Sequence, residues 1–279
     1  MRIRQRPVAA AALALSVAAL SACGSSTPST VAKGCKPIAQ VKTVDKGVLT
    51  AAIAEFPPYI GAKDGKPTGV DGVLLTKTAA ALCLDLKVNV TSFPAITSSL
   101  QQGTSDLSAG SWTINAERKS MFEVSAPVYK SLAALVSKSG ISTVDGMKGK
   151  KIGTTTGYLW VSDLQKAIGG NSVKLYQSEQ AVYDDLKAGR IDAGLFTEGA
   201  VAFYMAKDGN PSDLKLKVLE QDPRIQMTVN PPVTGVLIHK GDTDLLGAVN
   251  TVVKQYQSSG DLATQLKDAG ISKQSVIDG

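Results

Sequence analysis

The sequence of 279 residues is poor in the groups on which many enzymes depend. It contains one histidine, His239, and three cysteines, and aromatic residues make up only 5% of the chain. A single histidine excludes zinc sites built on two or three histidines and leaves one residue for any Ser-His or Cys-His mechanism. The sequence also lacks blocks of like charge and low-complexity tracts, which disfavours disordered and fibrous classes. We therefore expect neither a hydrolase nor a metalloenzyme, with no metal and no cofactor.

Long apolar runs are scarce as well, and the most prominent one lies at the N-terminus. Arg2, Arg4 and Arg6 precede an Ala/Leu/Val-rich stretch that is short for a bilayer span. A basic segment followed by such a stretch is typical of a secretory signal peptide, which we predict over residues 1–22. Its removal takes away three arginines and lowers the net charge from +6 to +3, so the mature chain has no basic surplus that would favour nucleic-acid binding.

The predicted signal peptide ends in a recognisable cleavage sequence. Residues 20–23 (LSAC) resemble the lipobox of bacterial lipoproteins, in which cleavage before the cysteine is followed by attachment of a diacylglycerol to its thiol. The alternative is an ordinary signal peptide with a chance cysteine. The resemblance predicts a lipid anchor on Cys23, held by the burial of its acyl chains at the outer face of the cell membrane. A small, polar segment over 23–43 would be the tether.

Two cysteines, Cys35 and Cys83, remain after lipidation. An even pair in an exported protein suggests a disulfide, because the compartment is oxidising. Two buried free thiols are the alternative, since the sequence alone does not bring them together.

Periodicity in the first half of the chain indicates an α/β fold. Val48–Ile53 is apolar and short like a buried strand, 74–86 has apolar residues near helical spacing, 86–90 alternates like a strand, and 96–102 predicts a short helix before Gly103. Strands that alternate with helices predict a mainly parallel sheet. Further along, a strand from 151 and a helix over about 158–167 are expected.

An internal echo suggests two lobes of similar construction. The segments 100–106 (LQQGTSD) and 186–192 (LKAGRID) both end a predicted helix at a glycine, place an aspartate three residues later and continue into a small-residue strand. Three matches in seven positions could also be coincidence.

Seven segments in a fixed order carry a resemblance to a known family. Behind the lipobox, the chain resembles the family 3 extracellular solute-binding proteins, the polar-amino-acid receptors of bacterial ABC importers. The segments are 55–59 (EFPPY), 69–75 (GVDGVLL), 110–118 (GSWTINAER), 122–129 (FEVSAPVY), 149–153 (GKKIG), 188–193 (AGRIDA) and 234–241 (TGVLIHKG).

The resemblance implies a two-lobed, type II periplasmic-binding-protein fold with the ligand cleft between lobes joined by two crossover strands. It implies a first lobe over 44–128 and 238–279, a second lobe over 129–237, and crossovers near 129–136 and 230–237. Ligand binding would close the cleft, and the closed form would dock to a membrane permease. We expect a monomer that performs no chemistry.

The resemblance also assigns ligand contacts in the first lobe. Arg118 matches the arginine that grips the ligand's carboxylate, for which the planar guanidinium is suited because it donates two parallel hydrogen bonds. Ser111 and Thr113 match positions that complete this cradle; their alternative role is to cap the following helix. Phe56 matches an aromatic residue over the ligand's side chain, and Tyr59 either extends this rim or, like Phe56, belongs to the core.

In the second lobe the resemblance points to a turn and to a missing charge. Thr156, Gly157 and Tyr158 match a turn whose amides and hydroxyls meet the carboxylate, although the family usually has a threonine where Tyr158 stands. Thr197 occupies the place of the aspartate that pairs with the ligand's α-ammonium. An ammonium buried without a carboxylate is costly, so either Glu198 or Glu55 serves instead, or the ligand lacks that group.

Two other functions remain open from the sequence. Some family relatives are exported dehydratases of cyclohexadienyl acids, and such chemistry would need a general acid in the cleft. A receptor that signals to a partner instead of feeding a permease is the second alternative.

Overall fold

The computed structural model describes residues 31–277 of the chain. The predicted signal peptide, Cys23 and the first part of the predicted tether lie outside these residues. Within 31–277, no helix is both long enough and apolar enough to cross a membrane.

Twelve strands and ten α-helices follow one another in the described part of the chain. The strands are β1 Val48–Ile53, β2 Gly61–Lys63, β3 Lys66–Thr68, β4 Asp85–Val90, β5 Leu107–Thr113, β6 Glu123–Val124, β7 Ala133–Ser137, β8 Ile152–Thr155, β9 Val173–Tyr176, β10 Ala193–Thr197, β11 Lys215–Val218 and β12 Thr234–Ile238. The helices are α1 Gly69–Ala81, α2 Phe93–Gln101, α3 Ala116–Met121, α4 Val144–Met147, α5 Val161–Ile168, α6 Glu179–Lys187, α7 Glu198–Lys207, α8 Gln226–Val229, α9 Thr243–Ser258 and α10 Asp261–Asp268. Short 3₁₀ turns lie at Gly170–Ser172 and Lys273–Ser275.

The strands form two five-stranded sheets, one in each lobe, which confirms the two-lobed α/β fold. The first sheet has the order β4-β1-β5-β12-β6 and the second the order β11-β7-β10-β8-β9, while β2 and β3 form a hairpin. Both sheets are mixed, whereas mainly parallel sheets were expected. In each, the strand that enters from the other lobe, β12 or β7, is antiparallel to its neighbours. These strands follow a crossover between lobes and not a βαβ connection, so parallel pairing is not imposed on them.

Helices cover both faces of each sheet. In β1, Leu49, Ala51 and Ile53 pack toward the apolar cluster that includes α1, α9 and α10, while Ala52 faces the cluster that contains Ile96 of α2. This alternation is the period-two pattern of a strand buried on both sides. The apolar run that predicts a strand at 48–53 is therefore explained by burial on two faces.

The sequence pattern repeated at 100–106 and 186–192 corresponds to the same local structure in both lobes. Gly103 and Gly189 both end a helix with a positive φ, at 66° and 69°. The aspartate three residues later then accepts a backbone hydrogen bond beside the neighbouring strand: Asp106 from Thr50 at 2.6 Å, and Asp192 from Lys151 at 2.7 Å. In both lobes this device leads into a central strand, β5 or β10.

Three helix predictions are displaced, and the helix expected over 96–102 begins earlier, at Phe93, because Ser92 caps it. The helix expected over 74–86 runs from Gly69 to Ala81, because Cys83 adopts a positive φ of 57° and Leu86 belongs to β4. The helical spacing of apolar residues extends to Leu86 because this residue, although it lies in β4, packs against the same apolar cluster as α1. The helix expected from 158 begins at Val161, whose N–H bonds to the carbonyl of Tyr158 in a preceding turn.

The segment before β1 is fastened to the first lobe. A disulfide joins Cys35 to Cys83, with 5.8 Å between their Cα atoms. The N–H of Ile38 donates to the carbonyl of Ala81, and that of Val44 donates to Asp106. Residues from 35 onward are therefore attached to the lobe, although the sequence pattern extends the tether to 43.

Three short segments meet where the chain passes between the lobes. Lys130 pairs with Val233 on the return crossover, and the N–H of Lys130 donates to the carbonyl of Ser275 in the C-terminal segment. Tyr129 pairs with Val276 in the same segment. The crossovers are shorter than expected, since β7 already lies in the second sheet and β12 in the first. Residues 234–237, expected in the second lobe, thus belong to the first sheet.

Candidate functional site

The end of β5 has the backbone shape of a binding loop. Ser111 lies within the strand with a φ of +54°, which is uncommon for any residue but glycine, asparagine or aspartate. Its N–H donates to Asp71 Oδ2 at 2.7 Å, and the hydroxyl of Tyr129 donates to the same oxygen at 3.0 Å. Asp71 is buried, and burial raises its pKa to about 6. A carboxylate from α1 therefore holds the bend, a role the sequence pattern did not indicate although Asp71 lies in one of the family segments.

The helix after this loop is capped by Asn115. Its side chain accepts from the N–H of Arg118 at 2.8 Å. Ser111 and Thr113, whose alternative role was to cap α3, do not occupy that position. Their hydroxyls are not used for the cap and stay at the half-buried end of β5.

Arg118 is half-buried and makes no salt bridge within residues 31–277. Its Nη1 donates to the carbonyl of Thr113, and its guanidinium carbon lies 4.9 Å from the ring centroid of Trp112. Burial lowers its pKa, which reflects the cost of holding a charge away from water. The two other arginines in this part of the chain, Arg190 and Arg224, both pair with aspartates. Arg118 is thus a fixed cation whose remaining donors suit an anion.

A row of aromatic rings extends from Trp112, the ring against which Arg118 lies. Phe56 lies 5.4 Å from Tyr59 and 6.3 Å from Phe93, measured between ring centroids, and Phe93 meets Trp112 edge-on at 5.2 Å. Phe93 is 40% exposed, whereas Tyr59 is buried and stacks on Tyr129. Phe56 and Phe93 therefore form an apolar wall, while Tyr59 belongs to the core. The position of Phe93 at the start of α2 was not recognised from the sequence, because its partners come from other segments.

Glu55 lies outside this group of side chains. It is exposed, and its Oε1 accepts from the N–H of Ala62 in β2 at 3.1 Å. This contact fixes the β2–β3 hairpin to the end of β1.

The predicted turn of the second lobe lies between β8 and α5. Thr156 and Gly157 are exposed, and Gly157 has a φ of +84°. Tyr158 is half-buried and meets Trp160 edge-on, with 4.7 Å between ring centroids. The next residue, Leu159, is 70% exposed, which is unusual for a large apolar side chain.

Thr197 is joined to a carboxylate that the sequence analysis overlooked. Its N–H donates to Glu179 Oε1 at 2.8 Å. Glu179 opens α6 and is only 6% exposed. Burial raises the pKa of Glu179, and the nearby hydroxyls of Tyr158 and Thr197 lower it in part. Glutamate is seldom buried. From the sequence, a glutamate in the first turn of an amphipathic helix is therefore expected to be exposed to solvent, which is why Glu179 was not singled out.

Glu198, the residue after Thr197, points to a different partner. Its Oε1 accepts from the N–H of Ser272 at 2.9 Å, and its Oε2 lies 3.1 Å from the hydroxyl of Ser275. Glu198 is 1% exposed. Both oxygens are thus engaged by the C-terminal segment, and the structure gives no support to a contact with the ligand's ammonium group.

One cavity lies between elements of the two lobes, and another lies beside the crossovers. One, of about 500 Å³, lies between Pro58, α7 and the end of α10. The other, of about 480 Å³, is lined by Lys130, β11 and Met227. Neither includes Arg118 or Glu179, so we locate the candidate site from the side chains described above. Among the described residues, no cluster of three or more His, Cys, Asp or Glu could hold a metal ion.

The single histidine has a structural contact. Its Nδ1 meets the carbonyl oxygen of Leu100, at the end of α2, and its N–H bonds to the carbonyl of Asp106. His239 thus joins the end of β12 to the segment between α2 and β5.

Comparison with known proteins adds independent information. Residues 49–268 match the model of the bacterial extracellular solute-binding proteins, family 3. The chain is similar to the L-cystine-binding protein TcyJ of Escherichia coli strain K12, with 29% identity over 79% of this chain and 82% of the relative. It is also similar to the L-arginine-binding protein of Pseudomonas aeruginosa, with 28% identity over 77% of this chain and 85% of that protein.

A solved structure matches the fold along most of its length. It is the amino acid ABC transporter substrate-binding protein AbpA from Streptococcus pneumoniae, bound to L-arginine, with 26% identity and a TM-score of 0.58. The match covers 83% of this chain and 97% of that one.

Proposed function

Since this chain belongs to the bacterial extracellular solute-binding proteins of family 3, we propose that it binds an L-amino acid between its two lobes and delivers it to the permease of an ABC importer. Its similarity to amino-acid-binding proteins, along nearly the whole described region, supports this ligand class.

The observation that carries the proposal is the state of Arg118. Arg118 holds a half-buried positive charge that has no carboxylate partner in the described chain. Its partial loss of hydration is unfavourable, and an anionic ligand would offset that desolvation cost. A carboxylate accepts two parallel hydrogen bonds from such a fork, and the bent backbone at Ser111 offers polar groups beside it. Thr113, which holds Nη1 through its carbonyl, would keep the fork in place.

The aromatic wall indicates what the rest of the ligand is like. Phe56 and Phe93 present half-exposed rings, and Leu159 exposes an apolar side chain in the turn expected to face the ligand. These groups favour a ligand with substantial apolar surface, such as an aromatic, aliphatic or disulfide-containing side chain. The cystine-binding and arginine-binding relatives place L-cystine and L-arginine first among the ligands to test.

We propose that binding is followed by lobe closure and by no covalent step. A ligand that contacts both lobes stabilises the closed form by its higher affinity for that form. The two carboxylates weighed above as partners of an ammonium group are poorly placed to act as general acids, which supports this proposal: Glu55 is exposed at a hairpin, and Glu198 is engaged by Ser272 and Ser275.

The mature protein would act as a monomer at the outer face of the cell membrane, held by acyl chains on Cys23. The LSAC sequence at 20–23 supports this anchor. A mass measurement on protein extracted from membranes tests it: a diacylglycerol on Cys23 adds the mass of its acyl chains, and Cys23→Ser should release the protein from the membrane fraction.

A ligand screen tests the binding function. The full chain, purified in detergent, is unfolded in guanidinium and refolded to remove bound ligand. Its thermal midpoint is then recorded with each of the common amino acids and L-cystine, and with carboxylates that lack an amino group. A ligand at a hundred times its dissociation constant adds about 2.7 kcal/mol, or roughly 5–10 °C for a chain of this length. The proposal fails if no amino acid shifts the midpoint.

Tryptophan fluorescence gives a second readout of the same event. Trp112 lies beneath Arg118, and Trp160 lies beside Tyr158. A ligand that engages both lobes should change the emission of both, which Trp112→Phe and Trp160→Phe would separate. Uptake of the labelled ligand by cells that lack the protein distinguishes import from signalling, because a receptor for a signalling partner leaves uptake unchanged.

A further inference from the structure

An amino-acid ligand would require a counter-charge for its ammonium group. The strand end where the family usually has an aspartate carries Thr197. Glu198 is occupied by the C-terminal segment, and Glu55 lies exposed at the β2–β3 hairpin. The ligand either lacks an ammonium group or finds its counter-charge elsewhere.

Glu179 lies directly behind the position of the missing aspartate. The start of α6 meets the end of β10, and the bond from the N–H of Thr197 to Glu179 Oε1 measures 2.8 Å. Burial raises the pKa of this carboxyl, and the hydroxyls of Tyr158 and Thr197 lie close enough to it to lower the pKa in part. Tyr158 and Thr197 are both expected ligand contacts, so one buried carboxylate connects the two parts of the second-lobe site.

Within residues 31–277, hydrogen-bond donors accompany the carboxylate of Glu179 but no cation pairs with it. Burial raises its pKa, and the groups that lower it are the backbone and hydroxyl donors of Thr197 and Tyr158. A buried carboxylate without a cationic partner is unfavourable. An ammonium group bound at Thr197 would remove that cost.

The carboxylate is also within electrostatic reach of the first lobe. Burial raises the pKa of Tyr59 in the first lobe, and the charges of Glu198 and, less strongly, Glu179 raise it further. Burial likewise raises the pKa of Tyr204 on α7, with a smaller contribution from the charge of Glu179. Glu179 thus lies near enough to the first lobe for its charge to act there.

We infer that Glu179 supplies the negative charge for the ligand's α-ammonium group, with Tyr158 and Thr197 hydroxyls between the two, so that the protein selects α-amino acids over carboxylic acids without an amino group. This inference rests on the proposed function. The negative charge would thus lie at the start of α6 instead of at the end of β10, where the family usually has an aspartate. Tyr158, which is bulkier than the threonine usual in the family, would have a polar role through its hydroxyl.

The test compares matched ligands in matched variants. The probes are the amino acid that binds best in the screen and its own deamino acid, for example L-arginine with guanidinovalerate or L-cystine with dithiodipropionate. Affinities are measured by titration calorimetry on the full chain in detergent. Glu179→Gln should weaken binding of the amino acid by at least about 30-fold, the loss expected when one member of a buried charge pair is removed. The affinity for the deamino acid should change by less than about threefold.

Glu198→Gln and Glu55→Gln are the controls. Glu198→Gln removes a carboxylate that contacts the C-terminal segment, and Glu55→Gln removes one that contacts the β2–β3 hairpin. Both variants should leave the ratio of the affinities for the amino acid and its deamino acid unchanged. In the Glu179→Gln background, Thr197→Asp should restore the preference for the amino acid. If Glu179→Gln does not fold, Glu179→Asp carries the test, because it withdraws the charge by one methylene and should reduce the amino acid's affinity alone.

The outcomes separate this inference from the proposed function. Retention of the amino acid's advantage in Glu179→Gln, or its loss in Glu198→Gln, would overturn the assignment of Glu179 while leaving the receptor intact. A wild-type chain that binds the deamino acid as tightly as the amino acid would also overturn it. A wild-type chain that binds neither probe refutes the proposed function, and the inference with it.

Discussion

Asp71 Oδ2 accepts two hydrogen bonds, from the backbone N–H of Ser111 at 2.7 Å and from the hydroxyl of Tyr129 at 3.0 Å. One oxygen atom thereby links the start of α1, the bend in β5 and the first crossover between the lobes. The carboxylate is 4% exposed, so this link has an electrostatic cost.

That cost predicts a pH dependence of stability. Burial raises the pKa of Asp71 from 3.8 to about 6. The folded state therefore holds the proton more tightly than the unfolded state, and the stabilisation present below about pH 4 is lost as the pH rises to 6. This site should lower the free energy of unfolding by roughly 3 kcal/mol across that window. Asp71→Asn should lack this contribution, because the amide does not ionise.

The comparison of wild type with Asp71→Asn isolates this site from other buried carboxyl groups. Asparagine's single carbonyl oxygen can accept both bonds, since both end on one oxygen in the native protein. Denaturant unfolding at several pH values gives the difference between the two proteins. A difference that stays constant from pH 4 to pH 7 would contradict the assignment.

Arg118→Ala should reduce affinity for the amino-acid ligand by more than about 100-fold, because it removes the cation that would hold the ligand's carboxylate. Arg118→Lys keeps the charge but loses the two-pronged geometry, so it should restore only part of the affinity. Lys119→Ala, on the exposed face of the same helix, is the matched control and should bind normally. Titration calorimetry measures all three, and full affinity in Arg118→Ala would refute the site.

Glu198→Ala should destabilise the protein by about 2–3 kcal/mol, because the N–H of Ser272 and the hydroxyl of Ser275 lose a buried acceptor. Glu198→Gln retains one acceptor oxygen and should cost less. Both effects should be visible in denaturant unfolding. An unchanged midpoint in Glu198→Ala would show that the contact with the C-terminal segment contributes nothing.

Replacing Cys35 and Cys83 together by serine should lower the free energy of unfolding by roughly 4 kcal/mol in the chain-entropy model, given a separation of 48 residues. Hydrogen exchange should become faster at Ile38, whose N–H bonds to Ala81 next to the bridge. Reduction of the wild-type protein is the control and should reproduce the variant. Equal stability of oxidised and reduced protein would refute this prediction.

Local sequence features were sufficient for the elements of the fold that depend on near neighbours. The strand at Val48–Ile53 follows from an apolar run buried on two faces, and the glycine stops at Gly103 and Gly189 follow from the positive φ that glycine tolerates. Helix starts were less accurate: α5 begins at Val161 because Tyr158 lies in a preceding turn, in which its carbonyl accepts from the N–H of Val161.

The candidate site divides in the same way. Ser111, Thr113 and Arg118 lie within eight positions of one another, so one motif carries the cradle that the family resemblance predicts in the first lobe. The second-lobe charge depends on contacts between distant segments. Glu179 and Thr197 meet across 18 positions because the start of one helix packs against the end of a strand. Burial of a glutamate runs against its usual preference, and no local pattern signals it.

The sequence by itself determined the two-lobed α/β class and the family and predicted the arginine for the ligand's carboxylate, because these depend on periodicity and on short contiguous motifs. Only the tertiary structure decided which acidic residue is available to a ligand. It engages Glu198 with Ser272 and Ser275, leaves Glu55 at a hairpin, and buries Glu179 beside Thr197. The physical reason is that the ionisation and partners of a carboxylate depend on what surrounds it in space, and those neighbours come from segments far apart in the chain.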